Sequence, residues 1–214
     1  MATTMKSDEL NIVNTEQVVE HRNIISIPQF FDGMYLTESE KKARKDLAKK
    51  IYAIIVALLT IIKANKALNN EHDTGYYKEY LVDSLTPVYN EVFGENTYKS
   101  IIEHFANEFV DSTMRHIDEP YFTSDDRAVV NAEEQSNSVH NQSDYDTAVS
   151  SGKTRKIWVT KHDQRVRKTH EAADGQEVAI DEPFVVGSAL LQFPCDPEGA
   201  LKEICNCRCS CIYK

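Results

Sequence analysis

EICNCRCSCIYK, residues 203–214, places cysteine at every second position: Cys205, Cys207, Cys209 and Cys211. The one other cysteine is Cys195, so all five lie in the last stretch of the chain. Read as a β-strand, the segment turns these thiols to one face and Asn206, Arg208 and Ser210 to the other, because side chains alternate along a strand. Neighbouring Cα atoms on that face are then about 6.5 to 7 Å apart, at the upper edge of disulfide geometry. A bent strand instead lets two thiols grip one soft cation. Zinc, which takes about four Cys or His ligands in a tetrahedron, is the candidate ion. The competing reading is that the thiols are small buried hydrophobes, as free cysteines often are.

Working back from this stretch, His170 is the nearest candidate partner. KIWVT, with Trp158, reads as a short strand and EVAI as a second. HDQRVRKTH between them suits one or two helical turns, and ADGQ carries an Asp-Gly turn signal. Phe184, Leu190, Leu191 and Phe193 supply core, with Pro183 and Pro194 as punctuation. So small a three-stranded unit would benefit from a metal staple. Asp163 is a candidate ligand, helix cap or ion-pair partner. Asp163 with His170 could also do acid–base work, alone or in a metal-dependent hydrolase. No nucleophile stands beside them, however, and the chain has no Gly-rich phosphate loop, so a non-enzymatic role is expected.

The preceding part reads as helical. Thr37 and Glu40 form a capping box. Leu47, Ile51, Ile54, Ile55, Leu58, Leu59 and Ile62 recur at three and four, predicting a helix over 38–68 that is buried nearly all round. A helix over 75–85 follows, and Thr86-Pro87 is expected to start another that Gly94 closes. Asn96 or Thr97 opens the next, with Ile101, Ile102, Phe105, Phe109 and Met114 on one side. His104 and His116 read as ordinary surface residues. Thr123 or Ser124 caps a polar helix ending at Ser150-Ser151-Gly152. Its thin apolar stripe (Ala128, Val129, Ala132, Val139, Ala148) suggests that it leans on a neighbour rather than forming a core. Residues 1–36, with Ile24, Ile25, Ile27, Phe30 and Phe31 as the apolar exceptions, read as an extended arm or a loose terminus.

The 214 residues carry a formal charge of −10, which argues against a general nucleic-acid binder. The stretch from Lys153 to Lys168 is the exception. It holds Lys153, Arg155, Lys156, Lys161, Arg165, Arg167 and Lys168 against Asp163, and is read as a DNA-backbone contact or a solvated basic face. The start lacks a basic n-region and an apolar h-region, so no secretory signal is expected. The run from Ile51 to Ile62 is about a dozen residues, short of the roughly twenty a bilayer needs, and no membrane span is expected.

Trp158, Asp163, Arg165, Arg167, His170, Asp174, Gly175, Phe184, Pro194, Asp196, Asn206, Cys207, Arg208 and Cys209 stand in an order and spacing that resembles the phage Mu F-like head morphogenesis domain. The resemblance covers roughly residues 125–214. Cys205 and Cys211 are additions to that family's pattern. The resemblance implies a minor head protein of a tailed phage or prophage that is structural rather than catalytic. Such a protein sits in the virion near the portal, after passing through host cytoplasm during assembly, and acts in head assembly and DNA packaging or ejection. Its partners would be the portal protein and the major capsid protein, with packaged DNA touched through Lys153–Lys168. The expected fold class is α+β: an N-terminal arm (1–36), a helical portal- or capsid-docking region (37–122) and a small β-containing C-terminal domain (123–214) with a Cys/His cluster. Within that domain the expected metal ligands are Asp163, His170, Cys207 and Cys209. The alternative function is a zinc-binding adaptor using the same domain outside the virion. Such domains also stand at the front of polymorphic toxins, and this chain, ending at Lys214, is read as lacking one.

Overall fold

A computed structural model describes residues 28–95 and 97–214. Ile24, Ile25 and Ile27 of the expected arm, and Asn96, lie outside the described residues. The fold is α+β, as expected: helices come first, followed by a small region of antiparallel strands. The last part of the arm is not extended. Pro28–Phe31 (α1) make a single helical turn, and Phe31 and Met34 are buried against Ala48.

Glu38–Ala67 (α2) starts at Thr37, which accepts from the Glu40 N–H while the Glu40 carboxylate takes the Thr37 N–H, the expected capping box. Its apolar middle is buried from Leu47 to Ile62. Thr74–Phe93 (α3) runs straight through Pro87, against the expected break. Thr86 does not cap a new helix, because its hydroxyl bonds back to the Val82 carbonyl at 2.6 Å. Tyr77, Leu81, Leu85 and Tyr89, four apart, are buried in one stripe spanning the proline, and that packing outweighs the lost hydrogen bond. Lys99–Arg115 (α4) begins after Tyr98, which caps it without a side-chain bond. The Thr97 hydroxyl instead bonds the carbonyls of Phe93 and Gly94, so Thr97 is not the cap. These helices share one apolar core with Ala128, Ala132 and Val139 of Asp125–Ser150 (α5), which Ser124 caps.

The polar composition of α5 suggests a helix that leans on a neighbour rather than forming a core, yet Ala128, Ala132 and Val139 belong to the helical core. The helix lies between the helical core and the strands, with Ser136, Asn137, His140 and Asn141 buried. Ala128, Ala132 and Ser136 are small residues four apart, and the Ser136 hydroxyl reaches the Arg44 carbonyl of α2 at 2.7 Å. Buried polar groups require partners, and here the partners belong to both halves of the protein.

Arg155–Val159 (β1) is the middle of a three-stranded antiparallel sheet, between Glu177–Ala179 (β2) and Ser210–Tyr213 (β5). Lys168–Ala173 (α6) connects β1 to β2. Phe184–Val186 (β3) and Ala189–Leu191 (β4) form a separate hairpin, where the sequence suggests only core-supplying residues. Trp158, Phe184, Val186 and Leu191 are fully buried between sheet and hairpin. The expected long final strand is present only from Ser210. Leu201–Ile204 (α7) is a helical turn, Asn206 has φ 54°, and the residues through Cys209 form a bend. The four alternating cysteines therefore do not share a face: Cys205 is exposed, Cys207 and Cys209 are buried, and Cys211 lies on β5 opposite Trp158 of β1.

Candidate metal centre

The polar face of α5 holds two cysteine-bearing turns. Glu134 accepts the Asn206 N–H, and Asn137 Nδ2 donates to the Cys207 carbonyl at 3.0 Å. Ser138 Oγ donates to the Cys195 carbonyl at 2.9 Å, and Asn141 Nδ2 to the Pro194 carbonyl at 2.8 Å. Arg44 of α2 orients two of these amides, donating to Asn137 Oδ1 at 2.8 Å and Asn141 Oδ1 at 3.1 Å, and pairs with Asp144 at 2.6 Å. None of these holding residues was found from the sequence. The one available signal was the count of Ser, Asn and Glu on a helix with too few apolar residues.

These turns bring Cys207 and Cys209 to His170 of α6. The ligand atoms of the three residues all lie within 4.8 Å of one another, and all three residues are buried. His170 Nδ1 is 3.4 Å from Cys209 Sγ and 3.7 Å from Cys207 Sγ. Zinc bonds of about 2.0–2.1 Å to nitrogen and about 2.3 Å to sulfur, at a tetrahedral angle, separate the two ligand atoms by about 3.6 Å. The two observed distances straddle that value. Hydrogen bonds from the thiols of Cys195 and Cys209, together with the neighbouring imidazole, hold Cys207 well below the ordinary thiol range. Its neighbours Cys195 and Cys209 are pushed up, first by their contact with Cys207 and then by burial. Two buried polar atoms agree with a metal centre. Trp158 Nε1 has no hydrogen-bond partner among the described residues and sits where it favours the Cys209 thiolate. His170 Nε2 faces the Glu203 carboxylate at 3.4 Å, outside hydrogen-bond geometry, while Glu203 accepts from Thr169 Oγ1 at 2.8 Å. A ligating histidine is commonly backed by such a carboxylate.

Asp163 is not brought to the cluster. It takes a two-armed ion pair from Arg208, at 2.5 and 2.8 Å, and accepts the Arg165 N–H at 3.0 Å. Of the three roles considered for Asp163, the ion pair is the one found. The guanidinium of Arg208 bonded to Asp163 holds its carboxyl below the usual range.

The other motif residues are structural in position. Trp158 stacks edge-on against His170 and Phe184. Asp174 accepts from the Thr160 N–H at 2.7 Å and contacts His162 at 2.8 Å, while Gly175, at φ 75°, returns an N–H to the Trp158 carbonyl. Asp196 accepts from the N–H groups of Gln192 and Glu198. Arg167 donates to the Cys205 carbonyl, bracing the bend. Arg165 is exposed.

The basic stretch is partly committed. Lys156 is buried, donating to Gln192, and Lys161 donates to the carbonyls of Gln29 and Phe30. Arg155 pairs with Glu177 at 2.6 Å. The exposed basic residues of this stretch are Lys153, Arg155, Arg165 and Lys168. Among the described residues no helix is long and apolar enough to cross a membrane.

No solved structure matches the chain. Over 76 residues, 35% of this chain, it is 36% identical to NAD(+)--arginine ADP-ribosyltransferase EFV of Enterococcus faecalis (strain ATCC 700802 / V583). It covers 15% of that protein's length. The family described as Phage Mu protein F like protein matches residues 95–212, which include α4, α5, the sheet, the hairpin and every residue of the cluster. With more than half of its length matched, the chain belongs to this phage head morphogenesis family, whose character is structural.

Proposed function

We propose that the protein is a minor head protein of a tailed phage or prophage. It is associated with the portal and acts in head assembly and in DNA packaging or ejection. The observation that carries this reading is the family match over residues 95–212. The protein resides in the virion after assembly in host cytoplasm. Its partners are the portal protein and the major capsid protein. Packaged DNA is met through Lys153, Arg165 and Lys168, which are exposed.

Zinc bound by His170, Cys207 and Cys209 closes the C-terminal domain. Burial of all three ligands favours a structural ion over a catalytic one, which would need an open coordination position. The residues around the ion hold its ligands in place and keep water out.

Quantitative mass spectrometry of purified DNA-filled particles tests the assignment. A few copies per particle, co-purifying with the portal, are expected. Absence from particles with abundance in the cell fraction would reject it in favour of the second reading, a zinc-binding adaptor outside the virion. The 76-residue likeness to a much longer protein of another named activity favours that alternative.

A further inference from the structure

We propose that Cys195 is the fourth ligand, making the centre a closed Cys3His zinc site. This rests on the reading that zinc closes the domain. Three donors leave a tetrahedral ion one short, and a buried structural site has no solvent to fill the gap. Asp163, the acidic candidate in the sequence, is held by Arg208. Cys211 lies on β5 opposite Trp158 and is not among the residues whose ligand atoms come together. Cys205 is exposed and lies on the far side of the Asn206 turn.

Cys195 is placed differently. It is buried beside Cys207. Its sulfur also approaches the Cys207 carbonyl at 3.3 Å. Asn137 Nδ2, itself fully buried, lies 3.4 Å from Cys195 Sγ and donates to it. An amide N–H aimed at sulfur is the partner a metal-bound thiolate needs in a dry site. The backbone adds to this. Cys195 sits at φ 64°, in the left-handed region where glycine would be relaxed and an L-residue is strained. The strained position keeps a thiol where no thiol is needed for the turn. Cys195 Sγ stands outside the group whose ligand atoms lie within 4.8 Å of one another, so its recruitment requires the sulfur to turn from the Cys207 carbonyl towards His170, Cys207 and Cys209. The same helix face then positions both thiols, since Ser138 and Asn141 fix the backbone of the Pro194–Cys195 turn and Asn137 that of Cys207.

X-ray absorption at the zinc edge of the reconstituted full-length protein tests the assignment without a substitution. Three sulfurs at about 2.3 Å and one nitrogen at about 2.0–2.1 Å are expected. Two sulfurs would overturn it. Cys195→Gly supplies the second measurement, because glycine relaxes the φ 64° backbone and removes the thiol with its Cβ. Zinc affinity should fall roughly 100-fold or more, beyond what loss of an outer partner brings. The thiolate-to-metal absorption of the cobalt-substituted protein should drop by about one-third, in proportion to one ligand of three. Cys205→Ser, at the exposed thiol outside the cluster, should leave both unchanged. Unaltered affinity and spectrum in Cys195→Gly would overturn the fourth ligand while leaving the zinc staple standing. A wild-type protein that takes up no zinc under reducing conditions would overturn both.

Discussion

The side-chain amide of Asn137 donates to the main-chain carbonyl of Cys207 across 3.0 Å, joining positions 70 residues apart. Its oxygen accepts from Arg44 at 2.8 Å, so one buried amide ties α2 to the cysteine bend. Asn137→Ala would leave the Arg44 guanidinium and the Cys207 carbonyl short of partners in a dry interface. A loss of about 2–4 kcal/mol is expected. Trp158 is the sole tryptophan and lies in the C-terminal core. In the variant, its fluorescence should change at lower urea than the helical circular dichroism, whereas the wild-type curves coincide. Coincident curves in the variant would show that Asn137 does not couple the two halves.

Asp163 and Arg208 form the second tie, between the loop after β1 and the cysteine bend. Arg208 is largely buried, so removing its partner costs more than a surface pair would. Asp163→Asn should cost about 1 kcal/mol. The Asp163 carboxyl is held below its ordinary value, first by the hydrogen bond from Arg208. Its contribution is present above the unfolded carboxyl pKa and is lost as pH falls through the lower folded value. Wild type and variant should therefore converge in stability as pH falls below the ordinary carboxylate range. Urea titrations at pH 7 and in acid check this.

Glu133 gives a dependence of the opposite sign. Burial raises its carboxyl to about 7, with Arg165 and Lys161 opposing and Glu134 adding to the rise. The folded state keeps a proton that the unfolded chain gives up, so this group costs stability as pH rises from about 4.5 to 7. Burial lowers His140 to about 4, with Arg44 adding to the effect. That group costs stability as pH falls from about 6.5 to 4. The two slopes oppose each other across the shared window. Glu133→Gln should raise stability at pH 8 by about 2 kcal/mol, change little at pH 4.5, and uncover the acid-side loss from His140. Denaturation midpoints across pH 4 to 8 provide the measurement.

Gly187 lies in the β3–β4 turn at φ 60°, and a Cβ there would fall 2.8 Å from Glu203 Oε1 and 2.9 Å from Thr169 Cγ2. Those residues are the pair behind His170. Gly187→Ala should cost about 1–3 kcal/mol through backbone strain and overpacking. It should also weaken zinc binding by displacing the carboxylate, roughly 10-fold. Zinc competition with a chelator checks the second effect separately from stability.

Several features were legible in the residues alone. The capping box of Thr37 and Glu40, the buried stripe of α2, the Ser124 cap, the Trp158 strand and the Asp174-Gly175 turn are local signals, each fixed by a few neighbours whose spacing is visible in the chain. His170, Cys207 and Cys209 could be named because few residue types bind soft metals. What tertiary structure decided was everything depending on distant partners. Pro87 remains inside α3 because buried residues on either side of it pack on other helices. The alternating cysteines leave strand geometry because Glu134, Asn137 and Arg167 bond the bend, and no periodicity in 205–211 encodes those contacts. Asp163 belongs to Arg208 rather than to a metal because a guanidinium 45 residues later reaches it first. The polar face of α5 reads as solvent-facing in sequence, since burying amides is costly. It is internal because each amide finds a carbonyl, a thiol or a guanidinium, and those partners meet only when the chain has folded.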